Sequence, residues 1–162
     1  LDDRYPDKSM LGESPWIRSQ VRLVSRIADV YLMNNIFMAL PQVNRKTRVD
    51  EVRDLLVGQV TRGMRALEQH IGQGDYAVGG KLTRADCTLV PALFLCERTV
   101  PMLDVENPIL ETTHVAAYWD KIQSNEFAAK VLDEMDQGLR ERQDGTERKR
   151  IEAAIAKQKA QL

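Results

Sequence analysis

Apolar positions along this chain recur at steps of three and four, so the pattern predicts helices and shows no strand alternation. Ser14-Pro15 reads as a helix start: Ser serves as N-cap, and Pro takes the first helical position, where its missing N–H costs nothing. From Trp16 to about Leu40, Ile17, Val21, Val24, Ala28 and Tyr31 form one row, and Leu23, Ile27, Val30, Asn34 and Phe37 form a second beside it. Two apolar rows imply neighbours on more than one side, and Pro41 is expected to end the helix. From Thr47 to about Ile71 the period continues through Val49, Val52, Leu56, Val60, Met64 and Leu67. Asp50 and Glu51 fall in the first turn, where the helix dipole favours negative charge. The glycines of "GQGD" close this second helix. Two long helices joined by a short polar link predict an antiparallel hairpin.

The stretch "LTRADCTLV" places a hydroxyl, a carboxylate and a thiol within five residues. Thr83 and Asp86 have the spacing of a capping box, with Thr at the N-cap and an acid three residues on, although Asp is shorter than the usual Glu. Leu82 and Cys87 stand where a hydrophobic staple would pack. Local helix physics thus accounts for each group at its own position, and the pair is read as a structural N-cap rather than a catalytic cluster. The following "CTLVPALFLC" is apolar nearly all round, which predicts a central buried helix over 84–98. Within it Pro91 removes a hydrogen bond and crowds the carbonyl of Cys87, so a kink is expected, with Thr88 taking up a freed carbonyl. Next, "ETTHVAAYWDKIQ" predicts a short helix with Val115, Tyr118, Trp119 and Ile122 inside. Ser124 then caps a helix whose Phe127, Val131, Leu132 and Met135 face inward and whose end Gly138 weakens. The last part, "GTERKRIEAAIAKQKAQL", has Ile151, Ile155 and Leu162 as its apolar anchors and reads as a marginal helix or mobile tail.

Composition narrows the function classes. The 162 residues are 43% hydrophobic and 29% charged with a net charge of −1, so no global basic field points to nucleic acid. No run approaches the ~20 apolar residues of a membrane span. The polar, acidic N-terminus is unlike a signal peptide. The two cysteines make no disulfide framework, so the expected setting is cytoplasmic and reduced. Cys87 and Cys96 lie nine apart on one helix and point to opposite sides. His70 and His114 lack a metal-ligand pattern and are expected exposed at helix ends, so no metal site is expected. The basic tail is diluted by acids and reads as a solvated face. The chain does not open on Met, and "LDDRYPD" reads as the middle of something longer.

The run "YAVGGKLTRADCTLVPAL" resembles the most constant stretch of the glutathione S-transferase C-terminal domain. "RYPDKSML…SPWIRSQVRLVSRIADVYLMNNIF" is similar to that family's interdomain linker and first long helix, "VRDLLVGQVTRGMRALEQHI" to its second, and "VAAYWDKIQSNEFAAKVL" to its closing helices. The resemblance covers roughly residues 1–135. The apolar periods and breaks predict an all-α bundle of about five helices plus a C-terminal tail, and with the resemblance the expected organisation is an interdomain linker remnant over 1–13, the helical domain over 14–138 and a charged tail over 139–162.

In this family a thioredoxin-like N-terminal domain binds most of the glutathione and supplies the Tyr, Ser or Cys that activates its thiol. That domain has no counterpart here, so no catalytic residue carries over. The resemblance does imply an electrophile-site wall on the first helix, matching Val30, Tyr31, Asn34, Phe37 and Met38. Each of these also fits plain core packing, except Asn34, whose amide needs a partner or water. The implied partners are glutathione, as co-substrate of a parent transferase, a small hydrophobic electrophile and a second copy in a homodimer through the first two helices, with no nucleic acid and no membrane. The chain alone is expected not to conjugate glutathione. The alternative is a stand-alone interaction module without catalysis.

Overall fold

The computed structural model describes residues 4–6 and 9–159, and parts of the expected linker and the tail anchor Leu162 lie outside them. The described residues form helices and turns, with no strand among them. The first long helix is built of α1 (Pro15–Ile27), a π-helical segment (Ala28–Met33) and α2 (Asn34–Ala39). Ser14 caps it as expected, its Oγ accepting from the Ile17 N–H at 3.2 Å. Pro41 does not end the helical path: the chain tightens into a 3₁₀ turn over Leu40–Val43 that carries the proline near its start, where a missing N–H costs nothing. α3 (Asp50–His70) starts three residues later than expected, after Val49 in extended conformation. α4 (Arg84–Thr99) runs continuously through Pro91. α5 (His114–Ile122), α6 (Glu126–Gln143) and α7 (Thr146–Lys159) complete the chain.

α4 is the centre of the bundle, with Ala85, Leu89, Ala92, Leu93 and Cys96 at 0% exposure. Around it pack Val21, Val24, Ala28 and Leu32 of the first helix, Met64 and Leu67 of α3, and Val115, Tyr118 and Ile122 of α5. The hairpin of the first helix and α3 closes tightly because Gly63 faces Tyr31: a β-carbon at Gly63 would stand 2.5 Å from that of Tyr31. A smaller apolar cluster of Ala39, Leu56 and Leu103 lies at the far end of the hairpin. Its lid is ionic. Asp104, in the left-handed region at φ 63°, pairs with Arg45 and with the largely buried Arg48 at 2.7 Å. Left-handed backbone suits a short polar side chain such as Asp better than most.

Several expectations need correction. Asn125, not Ser124, caps α6, its Oδ1 accepting from the N–H groups of Phe127 and Ala128. α6 buries Ala128 and half-buries Leu132 and Met135, whereas Phe127 and Val131 are exposed. The helix also continues through Gly138 to Gln143. Val49 and Val52 are exposed rather than core. The Thr88 hydroxyl donates to the carbonyls of Arg84 and Ala85, one turn before the carbonyl that Pro91 crowds. Finally, the path over Pro15–Val43 is long and apolar enough, at a mean hydropathy of 1.2, to span a membrane by length and composition. In the fold 44% of that window is buried against the bundle, as befits a core helix.

Candidate functional site

The start of α4 is a closed polar network. Asp86, 1% exposed, accepts from the Thr83 N–H at 2.8 Å, the Thr83 hydroxyl at 3.0 Å, the Ala77 N–H at 2.7 Å and the Tyr118 hydroxyl at 3.2 Å. Thr83 Oγ1 in turn accepts from the Ala85 N–H at 3.3 Å and from the backbone of Asp86 at the third helical position, and the latter completes the capping box. A carboxylate with four donors tolerates burial because each lone-pair direction is used. Burial pushes the Tyr118 hydroxyl far up, reinforced by the Asp86 charge beside it, so Tyr118 stays a neutral donor. The shorter Asp therefore reaches its N-cap after all, and the cluster ties the 77 loop and α5 to the central helix.

The thiols are not activated. Burial, followed by the nearby Asp86, pushes Cys87 up, and burial alone pushes Cys96 up to about 12. Thiolate, not thiol, is the nucleophile, so both are poor ones at neutral pH. Cys87 lines an apolar hollow of about 120 Å³ with Leu82, Val90, Pro91, Phe127 and Val131, the place where the expected staple opens to the surface.

His114 is half-buried rather than free at its helix end. Its Nδ1 lies 3.0 Å from Glu68 Oε1, and the Glu68 carboxylate also accepts the N–H groups of Thr113, His114 and Val115 at 2.9–3.1 Å. Glu68 on α3 is thus the N-terminal cap of α5, supplied from across the bundle. Burial pushes its carboxyl up, but the backbone donors of His114, Val115 and Thr113 outweigh this and hold it below the usual range. Sequence gave no sign of this cap, because its partners lie 45–47 residues apart.

The five residues of the expected wall share the π segment and α2. Val30, Asn34, Phe37 and Met38 are exposed, the last two at 51% and 57%, and Tyr31 is half-buried against α3. Core packing does not account for the four exposed ones. They form an apolar strip with one amide in it, and the described contact of that amide's nitrogen is Met38 Sδ at 3.7 Å. The missed residue is the neighbour, Asn35. It is 9% exposed, and its Nδ2 donates to the carbonyls of Val30 and Tyr31, both at 2.9 Å.

Comparison with known proteins agrees with this architecture. Residues 27–126 match the model of the glutathione S-transferase C-terminal domain. A maleylacetoacetate isomerase from Pseudomonas aeruginosa is 31% identical over 121 residues, which is 72% of this chain and 56% of that protein. A glutathione S-transferase from Methylobacterium radiotolerans, solved in complex with glutathione sulfonate, superposes with a TM-score of 0.67 at 16% identity, covering 80% of this chain and 60% of that one. The chain therefore belongs to the glutathione S-transferase C-terminal domain family. It spans little more than half the length of either relative.

Proposed function

We propose that this chain is the helical half of a glutathione-dependent enzyme and that it forms the electrophile-side wall of the active site. The observation that carries the reading is the open strip of Val30, Asn34, Phe37 and Met38 on the first helix of a domain of this family. Apolar and thioether side chains hold a loosely fitted carbon skeleton, and the Asn34 amide offers both a donor and an acceptor to a carbonyl or carboxylate on it. Half-buried Tyr31 lines the base of the strip. Glutathione would be held mainly by a thioredoxin-like domain, which would also activate the thiol. Two reactions fit such a wall: conjugation of the thiol to an electrophile, and isomerisation of an unsaturated keto acid, as in the name of the Pseudomonas relative.

The family domain is taken as residues 14–138, with a tail from 139 that begins inside α6. A homodimer through the first two helices would cover exposed Val52 and Leu55 of α3, and the setting would be cytoplasmic. The second reading is a stand-alone interaction module, favoured by α6–α7 extending past the matched residues. The intact mass of the natural protein separates the two. A mass larger by one N-terminal domain supports the enzyme, and Asn34→Leu in that protein should then raise KM for the electrophile. A mass near 18.4 kDa would replace the enzyme by the module.

A further inference from the structure

The first helix is not wound regularly where it carries the strip. Over Ala28–Met33 the backbone is π-helical, and the Asn34 N–H bonds to the Asp29 carbonyl five residues back. Such single-turn insertions are uncommon inside α-helices. Where i→i+5 bonding gives way to i→i+4 bonding, donors and acceptors no longer match one to one, and a carbonyl is left over. The two carbonyls that follow Asp29 are those of Val30 and Tyr31, and both receive the Asn35 side-chain amide at 2.9 Å. One NH₂ has two hydrogens, and both are used here.

The opposite helix is shaped to the same segment. Gly63 leaves room for the Tyr31 β-carbon, whereas Gly58 on the same helix has nothing within 4 Å. We infer that Asn35 is a positioning residue: its buried amide holds the π segment open and so fixes how Val30 and Tyr31 stand relative to Asn34, Phe37 and Met38. One inserted residue turns everything after it by about 100° about the helix axis. Without the amide, the chain either leaves a part-buried carbonyl short of its donor or loses the insertion. Losing it would swing Ile36 and Ala39, at 1% and 2% exposure, out of the core and carry Asn34 and Phe37 away from Val30. That Asn35 acts on a ligand-binding wall rests on the function proposed above; that it holds the bulge does not.

The test uses the 162-residue chain, isotope-labelled, with the apolar dye 8-anilinonaphthalene-1-sulfonate as probe. In the wild type the dye should move resonances of Val30, Asn34 and Phe37 in a saturable way. In Asn35→Leu, amide exchange should rise at least ten-fold across residues 29–37 while α4 and α5 stay protected, and dye affinity at the strip should fall at least five-fold. If Asn35→Leu does not fold, Asn35→Asp replaces it. An ionised carboxylate donates no hydrogen bond, and a protonated one donates one, so protection of residues 29–37 should recover as pH falls through the new carboxyl's range. Wild-type exchange over 29–37 in Asn35→Leu, or pH-independent protection in Asn35→Asp, overturns the inference. A wild type in which the dye moves no resonance of the strip overturns the wall and leaves the bulge to be judged by exchange alone.

Discussion

Asp86 and Asn35 are both buried polar side chains inside helices, and both serve backbone groups rather than a ligand. Asp86 accepts from the Thr83 N–H at the start of α4 and from the Ala77 N–H in the preceding loop. Asn35 donates to carbonyls in the middle of the first helix. The needs they meet differ in kind. Every helix leaves its first N–H groups without partners, so a cap there is a general requirement. A helix interior leaves none, so an amide bonded to two successive interior carbonyls, beside a backbone hydrogen bond that reaches five residues back, marks a geometry that the helix would not adopt by default. The first region is closed, its donors and acceptors matched within the fold. The second presents Val30, Asn34, Phe37 and Met38 to the outside.

Breaking the closed region should have the largest effect. Asp86→Ala leaves the N–H groups of Ala77 and Thr83 and the Tyr118 hydroxyl buried without partners. At about 1–3 kcal/mol for each of the three, the loss should reach about 3–9 kcal/mol, enough to unfold a marginal domain. Thr83→Ala removes less and should cost about 1 kcal/mol. Urea unfolding followed by far-UV circular dichroism reads both. Equal midpoints for Asp86→Ala and wild type would contradict the closed network.

The hairpin beside the open region gives the next effect, with an internal control. Gly63→Ala puts a methyl 2.5 Å from the Tyr31 β-carbon. A β-carbon cannot swing away, so the helices must separate, at about 1–3 kcal/mol. Gly58→Ala meets nothing within 4 Å and should stabilise by about 0.5–1 kcal/mol through helix propensity. Opposite signs are expected in thermal melts. A stabilising Gly63→Ala would mean that the π segment does not approach α3 as closely as that 2.5 Å spacing requires.

The contrast also explains what could be read from sequence. The α4 cap was legible because its residues lie three apart and each has a typed position. The strip was legible as a helical row, and its exposure was not, because periodicity marks a face without saying what covers it. Phe127 and Val131 failed for the same reason: the row was real, but Ala128 is the residue that the bundle covers. The π segment left no periodic signature of its own, since the buried positions Val24, Ala28, Leu32, Ile36 and Ala39 still follow one another at steps of three and four through it. Asn34 and Asn35 are adjacent, and sequence marks only Asn34, which falls on an apolar row, whereas Asn35 is the one bonded to the backbone. The Glu68 cap joins residues too far apart in sequence for any local pattern.

Glu68 supplies a pH-dependent comparison with Asp86, since it caps α5 from a half-exposed position. Its folded carboxyl lies below the ordinary range, so its contribution is complete above the unfolded value near ~4.3 and is lost as pH falls through the folded value. Glu68→Gln should cost about 1–2 kcal/mol at pH 7, and its difference from wild type should shrink steadily below pH ~4. A difference that stays constant down to pH ~3 would mean that the carboxylate charge contributes nothing to the α5 cap.

The smallest effect is expected where neither kind of buried polar group exists. Every described residue of α7 but Glu147 is exposed, Ile151 and Ile155 included. The helix meets α6 through ion pairs, Arg150 with Glu141 at 3.0 Å and Arg142 with Glu147 at 3.6 Å, and carries an Arg148–Glu152 pair along its own surface. Exposed pairs contribute about 0–1 kcal/mol each and are screened by salt, and a helix of 14 residues is marginal by itself. Deleting residues 146–162 should therefore shift the unfolding free energy by less than about 0.5 kcal/mol while lowering the helical signal. If the deletion instead costs as much as Asp86→Ala, the tail is part of the folding unit, and the boundary between domain and tail moves past α6.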